Sequence, residues 1–223
     1  MKIYGLWVVF FCAALHIYGE TLFNFNTGWS FYKEKQSESL YYGPQFDLGA
    51  SFYHRAAPVG FFVDYLIAAR SAGDVSDTQA AEKASPVLIT EFGIAIGPSF
   101  IWRLHPYISA LFSVGTFWSV SDATFSYDDD RYYLSDGQYV SLSEINMGLA
   151  GDISLLVRIG KWFFFKTGVN GIWTFFKSPT PNETVSDTDA SRAISRKRYG
   201  NVINPLYTFG VTPYFGIGIG FLF

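Results

Sequence analysis

Phe209-Gly210-Val211-Thr212-Pro213-Tyr214-Phe215-Gly216-Ile217-Gly218-Ile219-Gly220-Phe221-Leu222-Phe223 alternates with a period of two. One set, Phe209, Val211, Pro213, Phe215, Ile217, Ile219, Phe221 and Phe223, is apolar almost throughout. The intervening set is mostly small or polar, and four of its members are glycine: Gly210, Gly216, Gly218 and Gly220. Successive side chains of a strand point to opposite faces, so this is a β-strand between two unlike environments, one greasy and one that tolerates little bulk.

Seven earlier segments repeat the pattern. Phe23, Phe25, Trp29 and Phe31 alternate with Asn24, Asn26, Gly28 and Ser30, and Phe46, Leu48, Ala50 and Phe52 with Gln45, Asp47, Gly49 and Ser51. A third sets Phe61, Val63, Tyr65 and Ile67 against Phe62, Asp64, Ala68 and Arg70. A fourth sets Phe92, Ile94, Ile96, Phe100 and Trp102 against Glu91, Gly93, Ala95, Gly97 and Ser99. The fifth places Ile108, Phe112, Val114 and Trp118 opposite Ser109, Ser113, Gly115 and Ser119. The sixth runs from Ile145 to Ile159, with Asn146, Gly148, Asp152, Ser154 and Arg158 on its polar face. The seventh opposes Phe163, Phe165, Val169, Trp173 and Phe175 to Lys166, Gly168, Asn170 and Thr174.

Connectors also alternate. His54 to Gly60, Arg103 to Pro106 and Gly160 to Trp162 are short, whereas Lys33 to Leu40, Ser71 to Pro86, Asp122 to Gln138 and Lys177 to Pro205 are long and polar. Eight strands with short turns at one end and long loops at the other predict an all-β fold, an eight-stranded antiparallel up-and-down transmembrane β-barrel. Composition agrees: the chain is 49% hydrophobic and 20% aromatic but only 16% charged, against about 25% charged in a soluble domain. Beyond the N-terminus no stretch reaches the roughly 18 apolar residues of a membrane helix. Trp102 and Trp162 fall at the short-turn ends, and Trp29, Trp118 and Trp173 toward the long-loop ends, forming two candidate interfacial rings.

Lys2, the apolar run Ile3 to Leu15 and the small residue Gly19 read as a cleaved signal peptide over 1–19, leaving a single barrel domain over 20–223. Cys12, the only cysteine, lies in the apolar run; Phe10 and Phe11 before it fit a lipid-attachment motif poorly. Cleavage after Gly19 therefore leaves no thiol for disulfides, catalysis or metal binding. A net charge of −3 offers no basic field for nucleic acid.

With lipid outside, the polar faces point into the lumen. The lumen set is Asp47, Asp64, Arg70, Glu91, Glu144, Asp152, Arg158, Lys166 and Asn170, with Arg103 at the rim. Charges in so narrow a space are expected to pair. Aligning strands at their turns puts Arg70 diagonal to Glu91 and Asp152 opposite Asn170. Phe62, Leu66, Leu111, Phe117, Leu156, Phe164 and Tyr214 also point inward, whereas the glycines there leave space.

The terminal strand, through Phe215, Ile217, Ile219, Phe221 and Phe223, resembles the strand by which bacterial outer-membrane barrels are recognised by their assembly machinery. With alternation and loop asymmetry, the chain resembles the small OmpW, OmpX and OmpA-barrel group, nearest OmpW-like barrels by length. No peptidoglycan-binding domain is expected after Phe223. The resemblance implies Sec export to the outer membrane, periplasmic short turns, extracellular long loops, a bilayer and the assembly machinery as partners, and a monomer. It also implies a narrow pore or conduit for small molecules. The alternative is a surface-exposed binding or adhesion barrel with a plugged lumen, acting through loops 122–138 and 177–205. In the second loop Arg192, Arg196, Lys197 and Arg198 form a basic cluster. Neither reading calls for a cofactor or metal, and Asp128-Asp129-Asp130 lacks calcium-loop spacing. Of the 3 histidines, His16 leaves with the signal and His54 and His105 fall in short turns, so no enzyme is expected.

Overall fold

The computed structural model describes residues 19–34, 40–54, 57–72, 88–126, 139–179 and 208–222. Its elements are β1 (Glu20–Glu34), β2 (Leu40–Tyr53), β3 (Val59–Ala72), β4 (Leu88–His105), β5 (Ile108–Ser126), β6 (Tyr139–Ile159), β7 (Phe163–Pro179) and β8 (Thr208–Leu222). Each strand pairs antiparallel with its sequence neighbours, and β8 returns to β1 to close the barrel. Closure leaves no unpaired sheet edge, which is what lets strands span a membrane. Phe223 and residues 1–18 lie outside the described residues, as do most of the long loops.

The strands run further toward the long-loop end than the sequence pattern indicates. Asp122–Ser126 belong to β5 and Lys177–Pro179 to β7, so only 127–138 and 180–207 connect those strands, and both stretches lie outside the described residues. The reason lies in the ladder: Asp122 pairs with Ser143 and Thr124 with Ser141, with side-chain hydrogen bonds of 2.5 and 3.1 Å on the exposed face. Polar residues there continue a strand whose outer face has left the apolar zone. The histidines differ as well: His105 is the last residue of β4, while His54 stays in the connection.

The greasy faces point outward. Ile153 is 63% exposed and Phe215 68%, whereas Glu144 and Leu156 on the opposite face are fully buried. All five tryptophans of the two rings are exposed. A largely apolar exterior around a charged interior inverts the soluble arrangement and suits a bilayer.

Two irregularities set the inner face. The β6–β7 register shifts between Met147 and Gly148, leaving Phe175 as an extra residue. Phe175 and Phe176 both face out, and beyond them Lys177 turns inward. Gly97 and Gly115 face each other across β4–β5, where a Cβ on either would meet the other strand's backbone; only glycine allows this approach.

Candidate functional site

The lumen is built as alternating layers. Nearest the short turns, Glu20 spans the barrel, its carboxylate pairing with Arg103 of β4 at 2.7 Å and with Arg158 of β6. Above it Leu22, Tyr53, Ile101, Leu111, Leu156 and Phe164 form an apolar cluster. The Tyr53 hydroxyl lies 2.7 Å from that of Ser99, itself 2.9 Å from Ser113.

At mid-height Lys166 Nζ lies 3.3 Å from Asp152, which also accepts hydrogen bonds from Ser154, at 2.8 Å, and from the Tyr214 hydroxyl. Lys166 also sits over the Tyr214 ring, 5.2 Å from its centroid. Asp152 faces Asn170 across β6–β7. A second apolar cluster, with Phe62, Leu66, Phe117 and Ile172 as its large members, fills the next part of the lumen.

The layer toward the long loops is one connected polar network. Arg70 donates from Nη1 to Glu91 (2.6 Å), from Nε to Ser30 (2.7 Å) and from Nη2 to Gln45 (3.3 Å). Gln45 in turn donates to Asp47 and accepts from Thr212, at 3.0 and 2.9 Å. On the other side Ser119 donates to Glu91 (2.6 Å), Asn146 donates to Ser119 and Ser121 (3.1 and 2.9 Å), and Ser121 donates to Glu144 (3.4 Å). Lys177 then bridges Glu144 and Glu34, at 3.5 and 3.1 Å. Ser30 and Glu34 lie on β1, Gln45 on β2, Arg70 on β3, Glu91 on β4, Ser119 on β5, Glu144 on β6, Lys177 on β7 and Thr212 on β8. The network therefore touches every strand. Tyr32, beneath both Arg70 and Lys177, joins Tyr41 and Ile89 in a third apolar cluster.

The structure thus gathers Arg70, Glu91, Asp47 and Glu144 into one network and places Asp152, Lys166 and Asn170 in a lower group. Arg158 stands apart with Glu20 and Arg103. Asp64 lies beside Gly49 on the inner face, without a cation at ion-pair distance among the described residues. Sequence reasoning missed Glu20, Glu34 and Lys177. Even-numbered parity along β1 from Leu22 to Tyr32 points to both glutamates; nothing in the sequence marks the extra residue that turns Lys177 inward.

At three inward glycines a neighbouring side chain takes up the space that a Cβ would need. A Cβ on Gly218 would strike the Phe164 ring, one on Gly93 the Phe117 ring at 2.6 Å, and one on Gly49 the Asp64 carboxylate. These three make room for a neighbour's side chain, whereas Gly97 and Gly115 abut the facing backbone.

A closed eight-stranded antiparallel barrel with an apolar belt and a charged, layered lumen is the fold of small outer-membrane proteins. No protein-family pattern matches the chain, and no curated protein is similar to it in sequence. Solved structures are similar in fold. A major outer membrane protein from Thermus thermophilus aligns with a TM-score of 0.54 at 11% identity, over 90% of this chain and 99% of that one. Neisserial surface protein A aligns with 0.53 at 9% identity, over 88% and 96%. The outer membrane protein OprG from Pseudomonas aeruginosa aligns with 0.52 at 14% identity, over 94% and 99%.

Proposed function

We propose that this chain is an integral outer-membrane protein with a closed lumen, whose work is done outside the membrane by the segments joining β5 to β6 and β7 to β8. One observation carries the reading: where lumen glycines would open a path, Phe164, Phe117 and Asp64 occupy it. The polar network bridging all eight strands adds a second obstacle along the same axis. A conduit would have to break buried ion pairs and displace three apolar clusters, and an interior this narrow is just wide enough for side chains to fill. Export, assembly through Phe215, Ile217, Ile219, Phe221 and Phe223, and a monomeric state belong to the same proposal.

The partner on this reading meets the basic cluster Arg192, Arg196, Lys197 and Arg198, whose chemistry suits phosphate- or sulfate-bearing glycans. Conductance and binding test the two halves separately. Refolded protein in planar bilayers is expected to give no discrete current steps; reproducible single-channel steps would restore the conduit. Replacing the four basic residues with glutamine is expected to abolish retention on a sulfated glycan column, while native-like retention would sink the loop assignment.

A further inference from the structure

We propose that the short-turn mouth of the barrel is a binding site for a phosphate group, held by Arg103, Arg158 and Lys161. A cavity of about 590 Å³ opens there, lined by these three residues together with Glu20, Tyr107 and His105. Glu20 is buried, and its two carboxylate oxygens are taken by the Nη2 atoms of Arg103 and Arg158. One carboxylate cannot neutralise two guanidiniums, and Lys161 adds a third cation without a carboxylate partner among the described residues. Its Nζ rests 5.1 Å from the Trp162 ring centroid.

Each guanidinium carries five N–H donors. Among the described residues Glu20 is the only acceptor that either arginine side chain meets. The donors that Glu20 does not use are therefore open to a ligand in the cavity that both side chains line. Three cations against one carboxylate match the charge and the several acceptor oxygens of phosphate better than the single charge of a carboxylate.

The site is also pre-ordered, which lowers the entropic cost of binding. Glu20, on β1, fixes two arginines from β4 and β6, the strands that flank β5 on the opposite wall. Arg158 N donates to Tyr107 O at 2.8 Å, and Gly220 N to Trp162 O at 2.7 Å, so both turns lining the mouth are tied to strands. Gly160, with φ of 72°, makes the left-handed turn that presents Lys161. The phosphate has two possible sources, a soluble phosphate ester or the headgroup of a lipid in the adjoining leaflet. Trp102 and Trp162 at this end put the mouth at headgroup depth.

The test uses the full barrel in phosphatidylcholine nanodiscs and follows the amide resonances of Tyr107, Gly160 and Lys161 while inorganic phosphate is added at constant ionic strength. Saturable shifts at these amides are expected. An Arg103→Gln/Lys161→Gln variant, which keeps the Arg158–Glu20 pair, should bind about tenfold more weakly or worse. Lys33→Gln, an exposed change at the far end, should bind as the native chain does. Replacing part of the lipid with phosphatidylglycerol separates the sources: competition with added phosphate assigns the headgroup, and unchanged phosphate binding assigns the soluble ester. Shifts that never saturate, or that persist undiminished in a folded double variant, overturn the site. Should the double variant fail to fold, Lys161→Gln alone decides the matter by the same criterion.

Discussion

Arg70 shows how tightly one side chain can be bound into this interior. It is 1% exposed and donates to residues on three other strands. Arg70→Met leaves Glu91 buried with its cation gone, and removal of one partner from a buried pair typically costs about 3–5 kcal/mol. Urea unfolding of the refolded barrel is expected to report that loss, and Arg70→Met/Glu91→Leu to recover most of it. If the double variant is no better than the single, the stranded charge is not the cause. Gly93 gives a second test at the same resolution. Gly93→Ala should destabilise by about 1–3 kcal/mol through overpacking against Phe117. Phe117→Leu in that background should relieve the clash, and an equal penalty in both backgrounds would refute it.

Strands were legible wherever parity ran unbroken. In β1 every even residue from Glu20 to Glu34 faces inward or lies in the inner row, and in β5 every odd one from Ser109 to Ala123. Period-two alternation needs no tertiary information, since a strand with lipid on one side must display it. It failed in β7, where the extra residue at Phe175 reverses the phase and hides Lys177, because a bulge is a property of the pair and not of one strand. It also misjudged strand ends, since above the apolar belt both faces turn polar and the contrast vanishes. The belt has a testable depth. Ile153→Arg, deep in the exposed face of β6, should cost about 2–4 kcal/mol, whereas Val120→Arg, next to the polar Asp122–Ser143 pair, should cost about 0–1 kcal/mol. Equal penalties in bilayer unfolding experiments would mean that the belt does not end at Val120.

Across the whole molecule, the interior charges were readable as a list but not as a map. Pairings within one hairpin, such as Asp152 opposite Asn170, follow from register alone. Contacts across the lumen, such as Glu20 with Arg103 and Arg158, depend on how the sheet curls, which no local pattern records. Because the pairs Arg70–Glu91, Lys166–Asp152 and Lys177–Glu34 are all buried, salt should screen them little. The urea midpoint is therefore expected to stay nearly constant from about 0.1 to 1 M sodium chloride, where the Debye length falls from about 10 to 3 Å. A steep fall would place the stabilising pairs at the surface instead.

Glu20 has a mechanical meaning as well. A thin-walled tube under sideways pressure fails by flattening into an oval, and its hoop of hydrogen bonds resists this poorly because the strands can hinge about one another. A member strung across the bore from β1 to β4 and β6 acts as a spoke, loaded in tension when the diameter it spans lengthens. The end of the barrel nearest the short turns is thereby held against flattening in that one direction.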